Sequence, residues 1–238
     1  MRKGVQKLYT EVASTYELIN HLATFGLDIR WRQKAARDIA PISGKLWLDV
    51  CCGTGEMSRN LAKRASVGAR IYSVDFSQAM IARAKKKPYD QKIFFTLADV
   101  GCLPFPEATF DLVTIAFSTR NLNVSDTELK NHLREFYRVL KPKGRFLNLE
   151  TSQPSLRLLR KIFHFYVQKI VAPLGAIISG SRSGYKYLAY TIPRFYDRDA
   201  FSGLLRKTGF TEVESQSLFF GIAAIHSAVK RARSNQVT

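Results

Sequence analysis

The stretch Leu46-Trp-Leu-Asp-Val-Cys-Cys-Gly-Thr-Gly55 constrains the fold more than any other part of the chain. Its apolar residues predict a buried strand that carries an acidic residue, Asp49, near its end and runs into a glycine turn. Gly53 and Gly55 let the backbone turn tightly and approach a ligand with no Cβ in the way, and Glu56 to Arg64 reads as the next helix. The next strand, Ala69-Arg-Ile-Tyr-Ser-Val-Asp75, ends in a carboxylate about 20 residues beyond the loop, the spacing at which an acidic side chain accepts both hydroxyls of a ribose. Strand, turn, helix and acidic strand end together predict an adenosine-cofactor site.

Two residues bear on which cofactor. A dinucleotide site carries Gly or Ala at the third position of the loop so that a pyrophosphate can lie against the helix; here that position is Ser58, small enough to leave the option open. Asp49 points the other way, because a carboxylate at the strand end repels a pyrophosphate. It suits the ammonium of a methionine moiety, near the sulfonium of S-adenosylmethionine.

From Lys45 to about Glu150 strands alternate with helices, the signature of a parallel sheet wound with helices on both faces. Strands are expected at 46–50, 70–74, 93–97, 111–116 and 145–150. Between the last two, Leu129, Leu133, Phe136, Val139 and Leu140 form an apolar stripe on a helix from Asp126 to Leu140, stopped by Lys141-Pro-Lys-Gly144. Residues 1 to about 42 read as a helical cap, with one helix around Leu18 to Leu22 and another from Trp31 to Ile39 that Pro41 ends. Residues 154 to 195 break the alternation. A helix opened by Pro154 places Arg157, Arg160, Lys161, His164 and Gln168 on one side and Leu159, Ile162, Phe163, Tyr166 and Ile170 on the other; Pro173 and Gly175 interrupt the apolar stretch after it. A helix over 197–208 and strands at 211–218 and 222–229 complete the chain, and the tail after Lys230 reads as frayed. The expected organisation is a single α/β domain: cap 1–42, cofactor core 43–150, helical insertion 151–196, and closing helix and strands 197–230.

Thirty-seven Lys and Arg against nineteen Asp and Glu give a net charge of +18, which calls for anionic surroundings, either nucleic acid or acidic lipid headgroups, or else a solvated basic surface. Cys51, Cys52 and Cys102 fit neither a disulfide framework nor a zinc pattern, so a reducing cytosol is expected, with Cys51 and Cys52 packed under the loop as small residues. The basic Met-Arg-Lys start leads into no apolar stretch of signal-peptide length. No run reaches the roughly 20 apolar residues of a membrane span, so the expectation is a protein that is soluble or peripheral to a membrane.

At this point the motifs resemble those of a known family. Val12-Ala-Ser-Thr-Tyr-Glu-Leu-Ile-Asn20, Leu-Asp-Val-Cys-Cys-Gly-Thr-Gly55, Leu-Pro-Phe-Pro106 with Thr-Phe-Asp111, Arg120-Asn121, and Arg138-Val-Leu-Lys-Pro-Lys-Gly-Arg145 are similar to segments of the ubiquinone/menaquinone biosynthesis C-methyltransferases (UbiE/MenG type), as are Ser183-Gly-Tyr-Lys-Tyr-Leu188 and Ala-Ala-Ile-His226. The likeness runs from about Val12 to Lys230. It implies a Rossmann-like class I methyltransferase, with a seven-stranded sheet whose last strand is antiparallel. It also implies S-adenosylmethionine held by Thr54 in the loop, by Asp75 at the ribose and by Asp99 and Val100 at the adenine, beside Ala116; with Asp49, Gly53, Gly55 and Phe76 these make up the expected cofactor-binding set. The acceptor it implies is a prenylated hydroquinone, such as demethylmenaquinol or a ubiquinol precursor, methylated on ring carbon. The chain departs from the family at Ala116, where Ser is usual, at Ser118-Thr119 in place of Gly-Leu, at Thr151, where an aromatic often follows Leu-Glu, and at Cys51-Cys52.

Carbon methylation needs a ring made electron-rich by loss of its phenolic proton, and no metal. Arg120 and Asn121, just after the fourth strand at the sheet edge where α/β folds bind ligands, are the candidate catalytic residues, with Tyr16 from the cap as a second contact to the ring oxygen. Arg120 stays protonated, so it would stabilise a phenolate or orient a water rather than act as base. An Arg at a strand end also serves as an ordinary ion-pair partner, a Tyr on a helix as core, and His226 as a structural residue. Two other functions are compatible with the residues. One is RNA methylation, prompted by the charge although no RNA-binding module is visible; the other is methylation of another membrane-borne lipid or small molecule.

Overall fold

In the computed structural model, residues 15–39 and 44–232 are described. The apolar run Leu46–Val50 forms β1 and lies at the sheet centre, parallel to both β2 (Arg70–Asp75) and β4 (Phe110–Ala116). Central placement follows from composition: Trp47, Leu48 and Val50 are at most 1% exposed, so both faces of the strand must be covered. With β3 (Ile93–Leu97), β5 (Leu140–Thr151), β6 (Phe210–Leu218) and β7 (Ala223–Lys230), the sheet has seven strands in the order β3-β2-β1-β4-β5-β7-β6. β7 runs antiparallel to both of its neighbours.

Between the strands lie α3 (Glu56–Ala62), α4 (Gln78–Lys86), the short α5 (Thr119–Leu122) and α6 (Asp126–Val139), preceded by the cap helices α1 (Tyr16–Ala23) and α2 (Leu27–Asp38). One sheet face buries Phe110, Phe136, Phe146 and Phe201, and the other packs Trp31, Ala35, Met57 and Leu61 against Trp47 and Leu147. The register of β5 differs from the sequence reading. It begins at Leu140 rather than 145, because Phe110 pairs with Leu140 before the ladder slips to Leu112 opposite Arg145, and the expected stop Lys141-Pro142-Lys143-Gly144 is absorbed as a bulge.

The larger difference is in the insertion. The helix starts at Arg157 and runs as α7 (Arg157–Tyr166), a π turn (Val167–Val171) and α8 (Ala172–Ser179), before α9 (Arg182–Thr191) and α10 (Arg198–Lys207). Pro173 does not break it, because it falls in the turn directly after the π segment, where the helical register is already changing. Gly175 does not break it either. A Cβ there would lie 2.3 Å from the Tyr185 ring, so the glycine serves the close packing of α8 on α9. The resulting 23-residue helix, Arg157–Ser179, is long and apolar enough by length and composition to cross a membrane, which corrects the expectation that no segment is. The expected sidedness of α7 also changes: Phe163 is buried, whereas Leu158, Ile162 and Phe165 are exposed beside Lys161. Helical sequence before residue 15, the stop at Pro41 and the tail beyond 232 lie outside the described residues.

Candidate active site

The C-terminal ends of β1, β2 and β4 open into a cavity of about 500 Å³. Every residue expected to hold a cofactor lines it except Gly55. The loop is locked to the second strand by hydrogen bonds: the Gly53 N–H donates to Asp75 Oδ2 at 2.8 Å, and the Ser77 N–H to Asp75 Oδ1 at 2.8 Å. Gly53 has φ +55°, and Gly55 has φ +78° at the start of α3. A Cβ on Gly55 would meet the Phe95 ring at 3.0 Å, so this glycine serves packing and turn geometry rather than ligand approach. A carboxylate has about four lone-pair directions, so beyond its backbone donors Asp75 keeps acceptor capacity toward ribose. Burial pushes the Asp75 carboxyl above its ordinary value, against the lowering effect of the Ser77, Gly53 and Phe76 backbone N–H groups.

Asp49 is 1% exposed and accepts hydrogen bonds from Ser58 Oγ and from Thr114 Oγ1 at 2.9 Å. Burial raises its pKa to about 6, more than these donors and the Arg32 charge can offset. A carboxylate desolvated to this degree beside a cavity is stabilised by a cationic guest, and the S-adenosylmethionine zwitterion carries ammonium and sulfonium charges. The residues present therefore fit that cofactor. Burial and the neighbouring Asp75 and Asp49 push the Cys51 and Cys52 thiols well above their usual range, which suits packing and opposes nucleophilic chemistry.

The cap closes over this cavity. Glu17 of α1 is paired with Lys87 and lies near Thr54 of the loop, and both neighbours hold its carboxyl below the usual range against the desolvation that would raise it. His21 Nδ1 lies 2.9 Å from Asp28 Oδ2, and its Nε2 lies 3.6 Å from Glu56. Arg32 Nη1 bridges the same two carboxylates at 2.6 and 3.2 Å. His21, Asp28 and Glu56 are spaced closely enough to ligate a cation, and the Arg32 guanidinium supplies the positive charge between them.

A second cavity, about 410 Å³, lies under the cap and the α7–α8 helix. Its wall is apolar, built from Ile19, Trp31, Phe117, Phe163, Val167 and Tyr185 among others, and Arg120 and Thr151 stand in it. Among the described residues Tyr16 alone lines both cavities. Burial raises the Tyr16 hydroxyl pKa against the lowering effect of Arg120, Arg32 and the Asn20 side chain, so the phenol stays protonated near neutrality.

Arg120 is 7% exposed, and its Nη1 donates to Glu150 Oε1 at 2.8 Å and to the Phe117 carbonyl at 2.9 Å. Glu150 also accepts from the Arg120 backbone N–H at 3.1 Å and from the Thr151 N–H and Oγ1 at 2.8 and 2.9 Å. Arg120 is thus both a buried ion-pair partner and part of the second cavity's wall. Asn121 lines the first cavity, so the two adjacent candidates divide between the two spaces. His226 is remote from this arrangement. It is 3% exposed, bonded through Nε2 to the Arg198 carbonyl at 2.9 Å, and burial lowers its pKa to about 4, a structural role.

Sequence reasoning missed Arg32, Glu150 and the second cavity. Glu150 had a signal, because it closes an apolar strand as Asp49 and Asp75 do. Arg32 had none, since a basic residue on a predicted helix reads as solvated.

Residues 1–230 match the ubiE/COQ5 methyltransferase family. The chain is 36% identical over 233 residues to the ubiquinone/menaquinone biosynthesis C-methyltransferase UbiE of Rickettsia bellii, spanning 95% of this chain and 92% of that one. It is also 36% identical over 229 residues to the demethylmenaquinone methyltransferase of Clavibacter sepedonicus, spanning 96% and 91%. Among solved structures, a possible histamine N-methyltransferase of Thermotoga maritima matches with a TM-score of 0.68 at 18% identity, over 94% of this chain and 99% of that one. Human N-acetylserotonin methyltransferase in complex with SAM matches with a TM-score of 0.62 at 19% identity, over 90% and 55%. At such identities the structural likeness carries the fold alone.

Proposed function

The chain belongs to the ubiE/COQ5 methyltransferase family and is an S-adenosylmethionine-dependent methyltransferase, and from that premise we propose that it methylates a ring carbon of a prenylated hydroquinone, of the demethylmenaquinol or ubiquinol-precursor type. The observation that supports this reading is the second cavity. It is apolar along its length, it meets the cofactor cavity at Tyr16, and it carries a buried arginine, Arg120, near that junction. An aromatic head with an isoprenoid tail has the same polarity profile.

S-adenosylmethionine, when bound, supplies a methyl group already activated on a sulfonium. The protein's share is alignment and proton management. Arg120 holds the developing phenolate oxygen by charge and donation, with Glu150 fixing the guanidinium plane. Tyr16, protonated and buried, donates to a ring oxygen. The phenolic proton leaves to water as the ring carbon attacks the methyl group; loss of the ring proton then restores aromaticity and the oxygen takes a proton back, so one proton is released per methyl group transferred. We further infer that the acceptor is collected from an anionic membrane, since the basic, apolar helix Arg157–Ser179 forms one wall of the second cavity.

Methyl-labelled S-adenosylmethionine offered with demethylated isoprenoid hydroquinones and, separately, with RNA tests the proposal. Label in the lipid fraction on thin-layer analysis supports it, and label in RNA alone overturns it.

A further inference from the structure

The mouth of the second cavity differs from its interior. Phe25, Phe219 and Phe220 line it, yet they are 83, 52 and 74% exposed. All three hold positive φ, at 52°, 42° and 56°. A bulky side chain with positive φ is a rare outlier, and outliers of this kind cluster where function requires them. The three rings are framed rather than loose: Phe25 stacks on Tyr166, whose hydroxyl donates to the Ala23 carbonyl at 3.0 Å, and Phe219 and Phe220 pack edge to face. The chain thus accepts strain in order to hold three aromatic rings in the solvent around one opening.

The helix beside the opening continues the pattern. Leu158, Lys161, Ile162 and Phe165, spaced i, i+3, i+4 and i+7, share its exposed face. From Thr151 to Tyr196 the chain has seven Lys and Arg and no Asp or Glu. A nucleic-acid surface gains nothing from exposed Leu158 and Ile162, whereas an anionic bilayer is complementary to both the cations and the hydrocarbon.

We propose that this face docks on an anionic lipid bilayer, with Phe25, Phe219 and Phe220 inserted at the boundary of headgroups and acyl chains, so that the cavity mouth opens to hydrocarbon and an isoprenoid tail enters without crossing water. The route of the tail rests on the reading that the second cavity takes a prenylated ring. The docking itself does not.

The test uses the full chain and vesicles of phosphatidylcholine, with or without phosphatidylglycerol, containing no quinone. Phe25→Trp and Phe220→Trp are each expected to show blue-shifted emission and quenching by acyl-brominated lipids in the anionic vesicles. The native Trp31 and Trp47, 7% and 1% exposed, give a protected background. Val67→Trp, 92% exposed in the loop entering β2, at the end of the parallel strands away from the cavities, is expected to remain unquenched. Asn tolerates positive φ, so Phe25→Asn/Phe219→Asn/Phe220→Asn should melt no lower than wild type while partitioning at least about tenfold less. Binding should also weaken as salt rises. Unquenched Trp at 25 and 220, or wild-type partitioning of the triple variant, overturns the proposal. So does self-association that the triple variant abolishes in a protein that ignores vesicles, which would give the face to a second copy. Since no readout requires methyl transfer, docking by a protein that methylates no hydroquinone would refute the proposed substrate and leave the docking intact.

Discussion

The two cavities share Tyr16 and are otherwise built in opposite ways. The first cavity takes its main features from successive strand ends, Asp49 to Thr54, Asp75 with Phe76, Asp99 with Val100, then Ala116, with backbone N–H groups fixing Asp75 and the Ser58 and Thr114 hydroxyls fixing Asp49. The second cavity draws on segments scattered from Tyr16 to Ile222 and is held by side-chain packing. A site fixed by directional hydrogen bonds tolerates little change in its guest, whereas a packed apolar space accommodates guests of varied length. On the proposed reading, the first cavity is thus the specific, cofactor-holding part of the molecule and the second the adaptable, acceptor-holding part, apart from Arg120.

That exception gives the largest expected effect. Arg120→Ala should reduce single-turnover methylation of a short-chain hydroquinone by about 10²–10³, comparable to losing one preorganised donor to an oxyanion. Cofactor affinity should change little. The substitution also strands Glu150, and breaking a buried ion pair costs about 3–5 kcal/mol, so a lowered melting temperature is expected as well. Arg120→Lys separates the two effects, because it keeps the charge beside Glu150 and loses the planar fork. A stable Lys variant with a large turnover defect supports positioning at the ring. Full turnover in folded Arg120→Ala would break the division of labour between the cavities.

The next largest effect belongs to the cofactor end. Asp75→Ala should weaken S-adenosylmethionine binding by about 10²-fold or more, since two charge-assisted hydrogen bonds are worth roughly 1.5–3 kcal/mol each. The KM for the hydroquinone at saturating cofactor should hold. Calorimetric titration with S-adenosylmethionine and with NAD checks this and the selectivity attributed to Asp49. Tight NAD binding, or normal binding by the variant, would contradict the assignment of the loop.

This contrast also explains what was legible in the sequence. The glycine turn, Asp49 and Asp75 are visible because a nucleotide site demands particular residues at fixed spacings within one βαβ unit, and strands β1 and β3 were placed to the residue. The second cavity was invisible as a space, because its lining is ordinary apolar sequence whose convergence depends on tertiary packing. The helix through Pro173 and Gly175 was misjudged for a related reason. Local rules treat both residues as breakers, but the π turn and the Tyr185 ring give them tertiary roles. Glu150 and Arg32 show the same limit, as long-range partners turn generic charged positions into parts of the site.

Asp49 sharpens the comparison through pH. Its folded-state pKa is raised to about 6, above the ordinary 3.8, so between those values the folded state binds more protons than the unfolded one. The cofactor-free protein therefore loses stability as pH rises through that window. A cationic guest requires the ionised form, so S-adenosylmethionine affinity should fall by up to about tenfold per unit below about pH 6 and level off above it. Asp49→Asn should bind about tenfold more weakly at pH 7.5, with a flat profile and an undiminished cofactor-free melting temperature. Titration calorimetry from pH 5 to 8 measures this, and a wild-type profile without a slope below pH 6 would remove Asp49 from the methionine end.

Tyr16→Phe should have the smallest effect, and it tests the junction itself. The hydroxyl is buried, stays protonated near neutrality and lies within the influence of both Arg120 and Arg32. Phenylalanine preserves the packing of Tyr16 against Ile19 and Tyr185, so the melting temperature should scarcely move. The substitution removes one neutral donor, worth about 0.5–1.5 kcal/mol, or a factor of roughly two to ten in kcat/KM for the hydroquinone. If the loss falls on kcat, the hydroxyl acts on the ring oxygen as charge develops; if it falls on KM alone, it only helps to seat the ring. Should cofactor affinity fall instead while hydroquinone kinetics at saturating cofactor stay unchanged, Tyr16 would belong wholly to the cofactor cavity. The proposed contact between the cap and the acceptor would then have to be made by another residue.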